Sequence, residues 1–116
     1  MSNEKFYAKP FSDFYPLYVN KAERKGHTKE EIDEIIFWLF GYDKVSLKMQ
    51  LDNNSSWQTF YEGAPCINEN VSLIKGSVCG VRVQEVEEEL MRHIRYLDKL
   101  VDELAKGKTM DKILRK

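Results

Sequence analysis

The strongest constraint in this sequence is the stretch from Val83 to Lys106, in which apolar residues recur with the period of an α-helix. Their spacings of four, three, four and three residues place them on a single stripe. A stripe of this width must be buried, so the rest of the chain has to pack around one long C-terminal helix. The stripe consists of Leu90, Ile94, Leu97, Val101 and Leu104.

The same stripe has the heptad register of a two-stranded coiled coil, but only over about two heptads. Glu87 and Lys108 interrupt the register at its ends, while Val86 and Leu100 widen the stripe beyond a two-helix seam. These features favour the core helix of a globular protein over an extended coiled coil. Gly107 is expected to cap the C-terminus of this helix.

Length and composition indicate one folded domain over residues 1–116. A chain of this length buries about two-thirds of its unfolded surface without disulfides or metal. Its formal net charge of −1 indicates no polyanion-seeking surface. The N-terminus lacks the apolar segment of a secretory signal, and the longest apolar run, Ile35 to Phe40, is too short to span a bilayer. We therefore expect a cytoplasmic protein with no membrane association.

The patterns before and after the long helix predict an all-α fold, a compact bundle of about five to six helices. Thr28 and Glu31 have the spacing of a capping box, and Leu17 is expected on the buried face of the first helix. The expected elements are a surface arm at residues 1–10, a helix from Ser12 or Asp13 to Gly26, a helix from Thr28 to Gly41, a helix from Asp43 to about Leu51, a short helix opened by a capping box of Ser55 and Gln58, and a last short helix capped by Thr109.

Residues 68–83 admit two interpretations. As a helix capped by Asn68 or Asn70, the segment places its leucine, isoleucine and valines largely on one side. As two strands, its valines pair across a turn at Gly76, and the fold becomes α+β with a small hairpin in residues 71–83. The pattern favours the helix.

The chain has more apolar helix surface than a protein of this length is expected to need. Trp38 and its neighbours extend the apolar face of the second helix, which therefore lies between two neighbours or presents aromatic rings to a partner. This surplus leads to the hypothesis of a small interaction protein without catalytic activity, most simply a homodimer. Its candidate partner-binding residues are Trp38, Tyr42 and Leu97.

The two cysteines, Cys66 and Cys79, lack metal-ligand spacing, so we expect reduced thiols and neither a metal site nor a cofactor. Cys79 lies in a glycine-rich segment beside Arg82, where a nearby cation can activate a thiol nucleophile. His93 or His27 would have to supply the general base of such a thiol-dependent enzyme. Because cysteine is more often an inert buried residue, the enzyme is only an alternative.

A second alternative is an accessory protein that binds nucleic acid. Basic residues cluster at positions 21–29 and 106–116, and they would form one patch if folding brought the two clusters together. The helices joined at Gly26–Thr28 also have the outline of a helix-turn-helix. The second of them begins with acidic residues, however, whereas a reading helix offers Arg, Asn or Gln to base edges, so the sequence argues against nucleic-acid binding.

Five blocks of the sequence carry a resemblance to a known family. They are Trp38–Tyr42 (WLFGY), Glu62–Pro65 (EGAP), Leu73–Val83 (LIKGSVCGVRV), Ile94–Lys108 (IRYLDKLVDELAKGK) and Lys112–Lys116 (KILRK). Together they resemble the bacterial domain of unknown function 2200, over nearly the whole chain from about Phe6. The resemblance implies no activity, substrate or cofactor, so no functional residue is carried over from it.

The chain departs from that family at Glu88-Glu89-Leu90-Met91, where the family pattern is acidic-Pro-Leu-Met. Proline is favoured in the first turn of a helix and excluded from its interior. Without proline at position 89, we expect the C-terminal helix to run back to Val83 unbroken.

Overall fold

The computed structural model of the protein describes residues 3–115, so Met1, Ser2 and Lys116 of the expected arm and basic cluster lie outside it. The described residues form a mainly helical fold around one long helix, as the sequence predicts, together with the small hairpin of the alternative. The elements are α1 (Glu4–Tyr7), α2 (Tyr15–Arg24), α3 (Lys29–Phe40), α4 (Lys44–Asp52), α5 (Trp57–Glu62), β1 (Ser77–Val78), β2 (Val81–Arg82), α6 (Glu89–Ala105) and α7 (Met110–Ile113).

The helix α6 is the centre of the core. It packs against α2, α3, the hairpin and α7. All five residues of the predicted stripe are buried, and Tyr96 and Leu100 are buried beside them. Contact on several sides explains why the apolar face is wider than a coiled-coil seam, and it confirms a globular core helix.

The expected start of this helix at Val83 is wrong by six residues, because α6 begins at Glu89. Val83–Glu85 instead form a 3-10 turn, and the backbone at Val86 and Glu88 is extended. The Arg92 guanidinium donates to the carbonyl oxygen of Val86 at 3.0 Å, and this bond holds the segment that precedes α6 against the first turn of the helix. Position 89 is thus the first helical residue, where proline is favoured in any case, so its absence does not lengthen the helix.

The helix favoured over residues 68–83 is also wrong, and the hairpin is present instead. Its two strands pair antiparallel, with Ser77 opposite Arg82 and Val78 opposite Val81. The turn lies at Cys79 and Gly80, three residues beyond the expected Gly76. Gly76, Cys79 and Gly80 all have positive φ, which an α-helix does not tolerate. Before the hairpin, the Asn68 side chain accepts from the Asn70 amide at 2.8 Å and caps only a 3-10 turn, Glu69–Leu73.

The capping box that opens α3 is confirmed, since the Thr28 hydroxyl accepts from the Glu31 amide and the Glu31 carboxylate accepts from the Thr28 amide. Gly41 ends the helix at φ +83°. A Cβ atom there would lie 2.6 Å from the backbone of Cys66, so only glycine permits this approach. The segment containing Cys66 donates two amides to the last carbonyl oxygens of α3, which explains why the blocks WLFGY and EGAP lie side by side.

Three smaller expectations are wrong. Ser56, and not Ser55, caps α5 by accepting from the Thr59 amide at 3.1 Å. A 3-10 turn at Phe11–Asp13 precedes α2, so neither Ser12 nor Asp13 caps it with its side chain. Leu17 points outward and is 60% exposed, because the buried face of α2 is formed by Tyr15 and Ala22.

The depth of Leu97 in the core predicts a large cost for truncation. Leu97→Ala removes buried methyl groups and leaves a cavity, so we expect a loss of about 3 kcal/mol in the free energy of unfolding. Leu17→Ala, the same change at an exposed position, is expected to alter it by less than about 0.5 kcal/mol. Urea denaturation followed by circular dichroism measures both. Equal effects of the two substitutions would contradict the placement of Leu97 at the centre of the core.

Candidate functional site

The residues proposed to bind a partner lie mostly inside the chain. Leu97 is fully buried, and Tyr42 is 3% exposed, with its hydroxyl donating to the carbonyl oxygen of Phe60 at 2.5 Å. Trp38 is partly buried and packs against the same core. The apolar surplus read from the sequence is therefore largely absorbed by the fold of a single chain.

Large apolar side chains remain exposed at four of the described positions: Leu17, Val45, Met49 and Leu73. Val45 and Met49 are one helical turn apart on α4 and are 69% and 57% exposed. They lie on the side of the helix opposite the buried Leu47. Of these four exposed residues in the described chain, only Val45 and Met49 are neighbours on the same helix.

Cys79 is exposed at the tip of the hairpin. Cys79 and Gly80 form a two-residue turn with φ of +50° and +78°, the conformation of a type I′ turn, which normally takes Asn, Asp or Gly. Cys79 borders a cleft of about 160 Å³ together with Lys21 of α2 and Asp98 of α6.

Neither histidine is positioned to act as a base for that thiol. His93 is buried against the rings of Tyr61 and Tyr96, with centroid distances of 5.0 and 5.2 Å. Burial lowers the pKa of His93, and its Nδ1 lies 2.8 Å from the carbonyl oxygen of Glu89. His27 lies beside Glu31, with its Nδ1 at 3.4 Å from the carboxylate. The structure thus brings Cys79 together with a lysine and a carboxylate, and with neither imidazole.

The cleft beside Cys79 is lined by a half-buried polar contact between two helices. The Tyr18 hydroxyl of α2 donates to Asp98 of α6 at 2.7 Å. Burial, followed by the charge of Asp98, raises the pKa of Tyr18 well above its ordinary value. Burial also raises the pKa of Asp98, against the opposing effects of Tyr18 and Arg95. This pair therefore has a structural role that fixes α2 on α6.

The contacts between α2 and α6 show that the two helices run parallel. Tyr18 contacts Asp98, and about one helical turn further along both helices Lys21 forms an ion pair with Asp102 at 3.3 Å. Asp102 also accepts from Lys106 at 3.0 Å. One carboxylate thus holds a lysine from each of the two basic clusters seen in the sequence, so folding does bring parts of the two clusters together.

Glu103, the next residue of α6, is 6% exposed and is surrounded by three cations. The Arg115 guanidinium donates to both of its oxygens, at 2.7 and 2.8 Å. Lys108 and Lys99 lie 3.3 and 3.6 Å from the same carboxylate. Burial opposes ionisation of Glu103, but Arg115 and Lys108 together outweigh it and hold its pKa below the usual value.

The turn after α6 places Lys108 on Glu103. Gly107 adopts φ +95°, and the amides of Lys108 and Gly107 donate to the carbonyl oxygens of Glu103 and Leu104. These two bonds form a Schellman motif, so the expected cap at Gly107 is confirmed. Arg115 is brought back by α7, and the Asn70 side chain donates to its carbonyl oxygen at 3.3 Å.

These groups surround an open groove of about 420 Å³ at the end of α6. We call it the basic groove, defined by its lining residues, with Lys21 and Arg115 bound to its carboxylates at the border. It is the candidate binding site of the molecule, because it is the place where most charges converge. The lining residues are Lys99, Asp102, Glu103, Lys106, Gly107 and Lys108.

The sequence did not identify this groove, because Lys99, Asp102 and Glu103 look like the solvated face of an amphipathic helix. A signal was nevertheless available: Glu103 lies three residues after Leu100 and one before Leu104, close to the apolar stripe. Only the return of the chain through α7 supplies Arg115 and buries the carboxylate.

In the described part of the chain, no group of three or more His, Cys, Asp or Glu side chains is arranged to hold a metal ion. No helix within residues 3–115 has the length and apolar character needed to cross a membrane.

The fold is that of a small, mainly helical protein built around one long buried helix. The model of a family described as an uncharacterized protein conserved in bacteria, DUF2200, matches residues 5–115, and the chain belongs to this family. A crystal structure titled "uncharacterized protein SP1917" is similar, with 39% sequence identity and a TM-score of 0.89. The match covers 98% of this chain and 93% of that one. The comparison with curated proteins found no match.

The turn at Cys79 predicts a stabilising substitution. A residue other than Gly, Asn or Asp is strained at positive φ, by about 1–2 kcal/mol in the left-handed helical region. We expect Cys79→Asn to raise the free energy of unfolding by about 0.5–1 kcal/mol, measured by thermal and urea denaturation under reducing conditions. Cys66→Asn is the matched control, because Cys66 is an exposed thiol without a positive φ. A gain at both positions would point to a general effect of removing thiols.

The environment of Glu103 predicts how stability depends on pH. Since the folded pKa of Glu103 is lowered, its contribution is fully present above the unfolded pKa and is lost as pH falls through the folded value. Glu103→Gln leaves the cations facing a neutral group, so we expect a loss of about 3 kcal/mol at pH 7 and a smaller difference from the wild type in acid.

Asp98→Asn is the control for that experiment, because the pKa of Asp98 is raised and its ionised form does not stabilise the fold. We expect a change below about 1 kcal/mol at pH 7, since the amide oxygen still accepts from Tyr18. Urea denaturation between pH 3 and pH 8, an interval chosen as roughly spanning the carboxyl pKa values, measures both variants. A constant deficit of Glu103→Gln over that whole interval would contradict the assigned role of the charge.

Proposed function

We propose that the protein is a small, non-catalytic interaction module that self-associates through the outer face of α4. The observation that carries the proposal is the exposed pair Val45 and Met49. Isolated exposed apolar residues are ordinary, but an adjoining pair facing away from the core marks a contact surface more specifically. The proposed occupant of this surface is a second copy of the same chain.

The charges along α4 support this occupant. Lys48 and Asp52 form an ion pair at 2.7 Å, whereas Lys44 has no ion-pair partner within residues 3–115. Lys44 and Asp52 lie at opposite ends of the helix. In an antiparallel pair related by a two-fold axis, Lys44 therefore approaches the second copy's Asp52 while Val45 packs on the second copy's Met49.

The size of the surface sets the strength of the association. Stable complexes bury about 800 Å² per partner, and two apolar side chains flanked by lysine stems supply only part of that area. The dimer is therefore a reversible one whose population depends on concentration.

A non-catalytic role is supported by the placement of the nucleophile candidate. Cys79 has a lysine and a carboxylate beside its cleft, but a thiol enzyme needs a base within hydrogen-bond reach, and both histidines are engaged elsewhere. The proposed location is the cytoplasm. It is supported by two cysteines that are both exposed and unpaired, which is typical of a reducing compartment.

Light scattering behind a sizing column tests the proposal directly. We expect the mean mass to rise from that of one chain toward that of two as the protein concentration is raised. Met49→Glu places a charge in the centre of the contact and is expected to hold the protein monomeric at every concentration. Leu17→Glu is the matched control on α2, at a residue of similar exposure, and is expected to associate like the wild type.

A wild-type mass that stays at one chain up to the solubility limit overturns the proposal. Equal loss of association in both glutamate variants places the contact elsewhere. Far-UV circular dichroism verifies that each variant is folded.

A further inference from the structure

We propose that the basic groove binds a small polyphosphate. The first argument is charge. Five cations, Lys21, Lys99, Lys106, Lys108 and Arg115, surround only two carboxylates, Asp102 and Glu103. The lining residues alone carry a formal excess of one positive charge, and the bordering Lys21 and Arg115 raise it to three, on a protein whose net charge is −1.

The second argument is that the cations are held in place before a ligand arrives. The side chains of Lys99 and Arg115 are only 16% and 15% exposed and are bound to the buried Glu103. The hairpin braces Lys99 further, since a Cβ atom at Gly76 would lie 3.2 Å from its Cε atom. Ordering flexible cationic side chains is a major cost of binding anions, and for these two side chains folding has already met most of that cost.

The third argument concerns the helix C-terminus, which normally repels anions through its free carbonyl groups. Here three of the last four carbonyl oxygens of α6 accept backbone amides. Those of Glu103 and Leu104 accept from the amides of Lys108 and Gly107, and that of Asp102 accepts from Lys106. The side chains of Lys106 and Lys108, which line the groove, are 75% and 41% exposed and are therefore accessible to a ligand.

The size and lining of the groove indicate the class of ligand. A volume of about 420 Å³ and three excess charges exceed what one phosphate group needs and suit a chain of two or three. Within residues 3–115, no aromatic side chain lines the groove, so this part of the chain offers no stacking partner for a nucleobase there. Recognition is therefore of the phosphate chain itself, whether inorganic or carried by a nucleotide.

Isothermal titration with sodium tripolyphosphate at low ionic strength tests this site. We expect saturable binding that weakens as salt is added, and at least about a tenfold loss of affinity in the double variant Lys106→Gln and Lys108→Gln. The matched control is Lys48→Gln, an exposed lysine in an i,i+4 ion pair on α4, which is expected to leave the affinity unchanged. Thermal denaturation verifies that all variants are folded.

Further arms separate the possible sources of the phosphate chain. ATP and GTP that match tripolyphosphate in affinity, to within about threefold, support recognition of the chain alone. Pyrophosphate is expected to bind more weakly than tripolyphosphate because it neutralises less of the excess charge.

Several outcomes overturn the proposal. The absence of saturable binding does so, and so does a loss of affinity in Lys48→Gln that equals, per charge removed, the loss in the double variant, because that result would indicate diffuse charge instead of a site. Sulfate binding as tightly at matched ionic strength means an adventitious ion only. Single-stranded DNA that binds while tripolyphosphate does not would assign the groove to nucleic acid. None of these outcomes depends on the mass measured for the α4 contact.

Discussion

Burial of the apolar stripe of α6 is the constraint on which the rest of the structure depends. One neighbouring element cannot cover a helix with apolar residues on this much of its surface. The elements α2, α3, the hairpin and α7 therefore each pack against a different part of it. Three of these contacts also fix a polar feature. The parallel packing of α2 sets Lys21 beside Asp102, the hairpin holds Lys99, and α7 returns Arg115 to Glu103.

The two carboxylates at the end of α6 illustrate how packing converts an ordinary charged helix face into a potential site. Asp102 and Glu103 are adjacent in sequence, yet Asp102 gathers surface lysines whereas Glu103 is buried among three cations. A buried carboxylate needs several donors to remain ionised, and these donors leave an excess of positive charge around it. Structural stabilisation and anion affinity thus arise from the same arrangement.

The sequence predicted elements best where local signals and burial agreed. The capping box at Thr28, the αL cap at Gly107 and the stripe from Leu90 to Leu104 all act within a few residues, and all are present. It failed where a distant contact outweighed the local pattern. Glu88 lies in a stretch of residues that favour a helix interior. Its carboxylate nevertheless accepts from the hydroxyl of the distant Tyr7 at 2.7 Å, and its backbone is extended.

The sequence by itself determined that one long amphipathic helix near the C-terminus would be the core of a mainly helical protein, because hydrophobic periodicity is a local and redundant signal. Only the tertiary structure decided which apolar residues stayed exposed, as with Val45 and Met49, and which charges converged, as with Glu103 and Arg115. These outcomes depend on helix orientation and on the path of the returning chain. Both are set by the sum of many distant contacts, which no short window of sequence contains.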